Sequence, residues 1–211
     1  TSSFVVKVTD IYGCFNYDTI IVFVNPIPTV SISGNNTICY LNSTNIIASG
    51  GTSYSWYPST GLSSDTSDTI IASPSTSTTY FLTVTDSNNC KNFSSFAIKV
   101  NPLPEVNITS DKYSICSKQN IKLYSTYNAT YSYKWNIDTT INSNQITISP
   151  YSTDNSIITY YLTVTDNNNC SNSNTISINV LKLPEANIGS DITICSNQSA
   201  TLKNNLTAKD F

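Results

Sequence analysis

A set of short motifs that recurs in a fixed order is the feature that most constrains how this chain can fold. The tripeptide Val-Thr-Asp is followed by a cysteine, then by a proline-containing linker, and then by an Ile-Cys pair. A tryptophan follows two of the Ile-Cys pairs, at Trp56 and Trp135. Motifs that recur in one order over such a distance predict a tandem array of similar domains. The cysteines of the three sets are Cys14 and Cys39, Cys90 and Cys116, and Cys170 and Cys195.

The repeat divides the 211-residue chain into four parts. Residues 29–104 and 105–184 are two complete repeats. Residues 1–28 correspond to the C-terminal strands F and G of a truncated repeat, and residues 185–211 to the N-terminal strands A and B of a further truncated repeat. Strands without partners expose apolar faces and edges, so we expect the full protein to extend in both directions. The Pro-x-Pro linkers predict a rod-like array, because proline fixes φ and stiffens the chain.

Apolar and polar residues alternate along the chain, and no apolar stripe of helical period persists. In the first complete repeat, strands are predicted at residues 29–33, 43–49, 54–56, 69–72, 79–85 and 96–100. This pattern predicts an all-β fold of tandem immunoglobulin-like β-sandwiches. Trp56 and Trp135 are predicted to lie in the core on strand C. Tyr80 and Tyr160 are predicted to be buried on strand F, where the hydroxyl can bind backbone and fix the E–F corner.

The composition argues against several classes of function. Histidine is absent, which removes the commonest general base and metal ligand. The formal net charge is −3 and no basic cluster is present, so we expect no nucleic-acid partner. The apolar runs are too short to insert into a membrane. Aspartates such as Asp86, at the end of strand F, are interpreted as turn residues rather than calcium ligands. We therefore expect no enzyme, no cofactor and no metal site.

The six cysteines predict disulfides formed in an oxidising compartment. Because the A–B and F–G turns of a sandwich lie at opposite poles, about 26 Å apart, a bond within one repeat is disfavoured. The A–B pole of one repeat faces the F–G pole of the next, which favours Cys39–Cys170, with the other four cysteines pairing beyond these two repeats. The alternatives are Cys39–Cys90 with Cys116–Cys170 within repeats, or Cys14–Cys39, Cys90–Cys116 and Cys170–Cys195 across the linkers.

The combination Tyr-x-Leu-Thr-Val-Thr-Asp-x-Asn-x-Cys, Asn-Pro-Leu-Pro, Ile-Cys and Tyr-x-Trp resembles the PKD-like and immunoglobulin-like repeats of large Bacteroidota surface proteins. Many of these are exported by type IX secretion and carry a gliding-motility-associated C-terminal domain. The segment Trp56-Tyr57-Pro58-Ser59-Thr60-Gly61-Leu62-Ser63 is typical of them. The second repeat departs from the pattern, since residues 136–142 lack the Pro-Ser-Thr-Gly-Leu turn. We therefore expect its C–D side to differ.

The resemblance implies a structural repeat region of a secreted cell-surface adhesin, stalk or extracellular filament associated with the outer membrane. The implied partners are neighbouring repeats, like chains in a filament, or surface glycans and proteins. It also implies O-glycosylation at Thr19, Thr69 and Thr139, which follow aspartates; an ordinary strand start is the alternative. The competing functions are a glycan- or protein-binding module, with exposed tyrosines such as Tyr57, Tyr131 and Tyr151, or accessory repeats of a secreted hydrolase.

Overall fold

The structure is a computed structural model that describes residues 1–186, 188 and 190–201. Every regular element in these residues is a β-strand. The chain forms two compact units, Thr1–Leu103 and Pro104–Phe211. The first contains a hairpin and a β-sandwich, and the second contains a β-sandwich. The predicted all-β, immunoglobulin-like sandwich fold is confirmed.

The hairpin consists of β1 (Ser2–Thr9) and β2 (Phe15–Val22), which pair antiparallel over their whole length. Its apolar residues are exposed on both faces, and Phe4, at the position of the strand F tyrosine, is 57% exposed. In residues 185, 186, 188 and 190–201 the predicted strands A and B are not formed. The rest of that prediction lies outside the described residues.

The first sandwich packs a three-stranded sheet against a four-stranded sheet. The three-stranded sheet has the order β3 (Ser31–Gly34), β5 (Thr44–Ser49), β7 (Thr69–Ala72), which are strands A, B and E. The four-stranded sheet has the order β4 (Thr37–Cys39), β9 (Lys91–Asn101), β8 (Thr78–Thr85), β6 (Ser53–Tyr57), which are strands A′, G, F and C. This order is that of an immunoglobulin-like domain.

The second sandwich has the same strand order. Its three-stranded sheet contains β10 (Ile108–Ser110), β12 (Ile121–Ser125) and β14 (Gln145–Ile148). Its four-stranded sheet contains β11 (Ser114–Cys116), β16 (Ser171–Leu181), β15 (Ser156–Thr165) and β13 (Ser132–Trp135).

Strand A′ is the element that the sequence did not predict. Residues 37–39 pair in parallel with the C-terminal end of β9, so that Cys39 lies opposite Asn101. The sequence-based interpretation assigned this segment to the A–B turn. A strand of three residues is too short to show alternation, and it forms only because the edge of β9 is available to pair with it.

The core of each sandwich is built from the inward-facing residues of its two sheets. On β8 the side chains of Tyr80, Leu82 and Val84 are buried, while Phe81 points outwards and is 56% exposed. On β5 the buried residues are Thr44, Ile46 and Ala48. The equivalent positions of the second sandwich are Leu162 and Val164 on β15 and Leu123 and Ser125 on β12, with Tyr160 beside them. The alternation that predicts the strands therefore also predicts which residues form the core.

Candidate functional site

The turn between strands F and G is organised by one aspartate. In the first sandwich Asp86 Oδ1 accepts hydrogen bonds from the backbone N–H groups of Asn88 and Cys90, both at 2.9 Å. The same pair of bonds recurs at Asp10 and Asp166. Among the described residues no group of three or more His, Cys, Asp or Glu side chains is placed to hold a metal ion. The carboxylates hold the turn by bonding to backbone.

The cysteines of one sandwich lie at opposite ends of its strand G. Cys39 stands opposite Asn101, the last residue of β9, whereas Cys90 immediately precedes the first residue of that strand. The 11 residues of β9 separate them by roughly 33 Å. A disulfide needs Cα atoms within about 7 Å, so this geometry opposes the alternative pair Cys39–Cys90. The pair Cys116–Cys170 faces the same obstacle along β16.

Two of the six cysteines are oxidised. Cys39 and Cys170 are disulfide-bonded, whereas Cys14, Cys90, Cys116 and Cys195 are free thiols. Both alternative sets of disulfides, the one within repeats and the one across the linkers, require Cys90 and Cys116 to be oxidised. Because these two cysteines are free thiols, neither set is formed in full. Structural disulfides persist in oxidising environments, which indicates an extracellular domain. The identity of each partner stays a prediction.

Both tryptophans are buried, and their indoles hold the chain that follows strand C. Trp56 Nε1 donates to the carbonyl of Ser67 at 3.0 Å, and Trp135 Nε1 donates to that of Ser143 at 2.9 Å. Ser143 is closer along the chain to its tryptophan than Ser67 is, because the connection is three residues shorter in the second sandwich. The difference predicted for the C–D side is therefore present.

The two strand F tyrosines have different partners. The hydroxyl of Tyr80 donates to the carbonyl of Thr60 at 2.9 Å, in the connection after strand C and not at the E–F corner, where sequence reasoning had located the bond. No described residue forms a hydrogen bond with the hydroxyl of Tyr160. Burial raises the pKa of both phenols. The missing partner of Tyr160 follows from the shorter connection, which has no counterpart of Thr60.

In the first sandwich the connection after strand C also covers the outer edge of strand E. The N–H of Ser63 donates to the carbonyl of Ile71 at 2.9 Å, and the N–H of Ser73 donates to the carbonyl of Gly61 at 2.7 Å. Leu62 forms an antiparallel bridge with Ala72 and packs against the core. The edge of β7 is thus protected from pairing with another chain.

The second sandwich has an open groove at the equivalent position. Its volume is about 430 Å³, and Tyr160 contributes to its lining together with Ile148 and Pro150. Ile137 and Ile141 of the shorter connection form its other wall. At the rim, the Thr140 hydroxyl and N–H donate to Asp138 and lower the pKa of that carboxyl. Polar and apolar groups contribute about equally to the lining, and the Tyr160 hydroxyl has no hydrogen-bond partner among the described residues.

No family model and no curated protein matches the chain. Several solved structures resemble it at low sequence identity. Murine CEACAM1b matches 72% of this chain and 100% of its own, with 12% identity and a TM-score of 0.33. A Ca²⁺-stabilised ice-binding adhesin of an Antarctic bacterium matches 85% of this chain and 56% of its own, with 11% identity and a TM-score of 0.41. The amphioxus IgVJ-C2 molecule matches 67% of this chain and 98% of its own, with 10% identity and a TM-score of 0.29.

The three threonines that follow aspartates are all exposed, but they lie in different settings. Thr19 is inside β2, Thr69 begins β7, and Thr139 is in the turn after β13. Their O-glycosylation stays a prediction. In residues 1–186, 188 and 190–201 no helix has the length and hydrophobicity of a transmembrane span.

The tyrosines considered as a sugar-binding platform do not share one environment. Tyr57 and Tyr151 are exposed, at 74% and 62%, whereas Tyr131 is half-buried and packs against the second core, contrary to the expectation of exposure. Sequence reasoning did not find the groove beside Tyr160. The sequence feature that indicates this groove is the absence of the Pro-Ser-Thr-Gly-Leu turn from residues 136–142. That absence predicts a different C–D side but not the shape of the groove.

Proposed function

We propose that the chain is a structural repeat region of a secreted cell-surface adhesin, stalk or extracellular filament, which spaces or assembles the protein outside the cell. The observation that carries this proposal is that the polar groups recurring in both repeats form hydrogen bonds within their own domain. In both sandwiches the turn aspartate and the core indole bond to backbone of their own domain. Because these side chains are used to hold the fold, we propose no catalytic role for the region.

The first two linkers support a spacing role, because the last residue of each is bonded to the sandwich that follows it. Asn92 Nδ2 donates to the carbonyl of Pro28 at 2.8 Å, and Asn172 Nδ2 donates to that of Pro104 at 2.9 Å. Asn174 Nδ2 adds a bond to the carbonyl of Val106 at 2.8 Å. A proline whose carbonyl is held in this way has little conformational freedom, so the linker that contains it is stiffer.

We further propose that Cys39 and Cys170 bond to each other, joining consecutive repeats covalently. Both are disulfide-bonded, while the cysteine at the far end of strand G in each of their own sandwiches, Cys90 or Cys116, is a free thiol. The bond would close a large loop, which restricts the unfolded chain and stabilises the folded array.

The cellular setting proposed here rests on the resemblance of residues 56–63 and of the linker motifs to Bacteroidota surface repeats. Within it, type IX secretion would export the protein to the outer membrane surface. The proposed partners are neighbouring repeats of the same chain, and beyond them like chains in a filament or glycans and proteins of a surface.

Two measurements on the full chain test the proposal. Peptide mapping without reductant should recover the Cys39 and Cys170 peptides as one linked species; a Cys39–Cys90 or Cys116–Cys170 species would contradict the pairing. Small-angle X-ray scattering should show a rod when the chain is oxidised and a broader distribution of distances after reduction. A compact particle, or a distribution unchanged by reduction, would argue against a covalently stiffened spacer.

A further inference from the structure

Strand E of the second sandwich presents a free edge. Among the described residues, β14 is the last strand of its sheet and pairs with β12 alone, on its inner side. Lys122 of β12 stands opposite Thr147. The Lys122 N–H donates to Asp111 Oδ1 at 2.9 Å, and the Lys122 carbonyl accepts from the Asp111 N–H at 3.3 Å. Both backbone groups of Lys122 therefore face away from β14. The N–H and carbonyl of Thr147 therefore point to the outer edge, because backbone groups alternate along an antiparallel pair.

The first sandwich shows what such an edge accepts. There the equivalent strand pairs with Gly61-Leu62-Ser63, and the equivalent tyrosine donates to the carbonyl of the residue before them. Ile71, Ala72 and Ser73 correspond to Thr147, Ile148 and Ser149. The second sandwich has the equivalent carbonyl of Thr147, N–H of Ser149 and hydroxyl of Tyr160. Among the described residues, none of these three groups has a hydrogen-bond partner.

We propose that the outer edge of β14 and the groove beside Tyr160 bind an extended peptide segment of another protein by strand addition. The segment runs antiparallel to β14. One of its N–H groups donates to the Thr147 carbonyl, and one of its carbonyls accepts from the Ser149 N–H. A preceding carbonyl accepts from the Tyr160 hydroxyl. This use of an exposed edge and a side-chain pocket is a general mode of peptide recognition.

The groove defines the chemistry of the segment. An aliphatic side chain of the size of leucine lies opposite Ile148 and fills the space between Ile141 and Pro150. The residue before it is small, as Gly61 is, because the strand must approach the edge closely. The segment is uncharged at the position of this side chain, since Ile141, Ile148 and Pro150 surround it and the one carboxylate of the lining, Asp138, is already held by Thr140.

The probe for this site is the capped heptapeptide Pro-Ser-Thr-Gly-Leu-Ser-Ser, the sequence of residues 58–64. Titrated into the full ¹⁵N-labelled chain, it should bind saturably with a Kd on the order of 0.1–1 mM. The largest shifts should fall on the Thr147 and Ser149 amides. Its Leu62→Ala version should bind at least about 10-fold more weakly, because the buried leucine supplies most of the contact.

Matched variants decide whether the groove is the site. Tyr160→Phe should weaken binding about 2- to 10-fold, and Thr147→Pro should abolish it, since proline on an outer edge obstructs pairing without removing an internal bond. Tyr80→Phe should bind as the unmodified chain does. Equal binding by all variants, shifts centred on β7, or no saturable binding would each overturn the proposal. These outcomes do not depend on the disulfide pairing or on the scattering of the array.

Discussion

The hydroxyl of Tyr80 donates a hydrogen bond of 2.9 Å to the backbone carbonyl of Thr60, and the corresponding hydroxyl of Tyr160 has no such acceptor among the described residues. Tyr80→Phe should therefore lower the free energy of unfolding of the first sandwich by about 1 kcal/mol. Tyr160→Phe should change that of the second by less than about 0.5 kcal/mol. The indole N–H signals of Trp56 and Trp135 in a denaturant series report on each sandwich separately. Equal losses in both sandwiches would contradict this difference.

Alkaline pH should destabilise both sandwiches. Burial raises the pKa of Tyr80 and Tyr160 above the ordinary value of 10.0, so at higher pH the unfolded chain loses protons that the folded chain retains. The stabilisation from the neutral phenols is complete below the unfolded pKa and declines as the pH rises through the folded pKa. Unfolding midpoints measured from neutral pH to above pH 10 should fall, and the fall should be smaller in the Tyr80→Phe, Tyr160→Phe double variant. A midpoint that stays constant with pH would be incompatible with this linkage.

Gly61 should tolerate no side chain. Its φ is +79°, and an added Cβ would lie 3.1 Å from Pro74 Cα, a backbone contact that cannot move aside cheaply. Gly61→Ala should destabilise the first sandwich by about 1–2 kcal/mol. Gly61→Asn is the control, because asparagine accepts a left-handed backbone but still carries a Cβ. Thermal unfolding should show similar losses for both; recovery by asparagine would assign the cost to φ alone.

The side-chain amides of Asn92 and Asn172 should stabilise the sandwiches through their N–H donors. Asn92→Asp and Asn172→Asp replace a donor with a carboxylate facing the carbonyl of Pro28 or Pro104, and each should cost about 1–3 kcal/mol. The Oδ1 of Asn92, of Asn172 and of Asn16 each accepts a hydrogen bond from the N–H of the next residue, at 2.9 Å for Asn16. The Nδ2 of Asn16, however, contacts no described acceptor. Asn16→Asp should therefore leave the melting temperature unchanged. Hydrogen exchange at residues near each linker locates the effect.

The turn aspartates should act through backbone hydrogen bonds and not through a metal. Asp86→Ala removes the acceptor of the Asn88 and Cys90 N–H groups and should cost about 1–2 kcal/mol. Asp86→Asn keeps an Oδ1 acceptor and should recover most of the loss. Calorimetry with calcium and with a chelator should give the same melting temperature for the unmodified chain. A chelator-dependent loss would instead favour a calcium site.

The sequence alone predicts the elements whose residues form regular local patterns. Residues 69–72 are predicted as a strand with the bounds that the structure shows, and the alternation in residues 79–85 identifies the buried face of β8. These predictions succeed because the period of a strand is a property of consecutive residues. The aspartate turns are predictable for the same reason, since the Asp86 carboxylate accepts from N–H groups two and four positions ahead.

The tertiary structure decided the features that depend on distant parts of the chain. Strand A′ forms because the edge of β9 is free to pair with it, and Tyr80 bonds to Thr60 because the connection after strand C folds over its hydroxyl. The open edge of β14 exists because a connection three residues shorter does not reach that position. Local alternation determines that a strand forms and which face is buried, but its edge partners are set by where the connecting segments run in three dimensions.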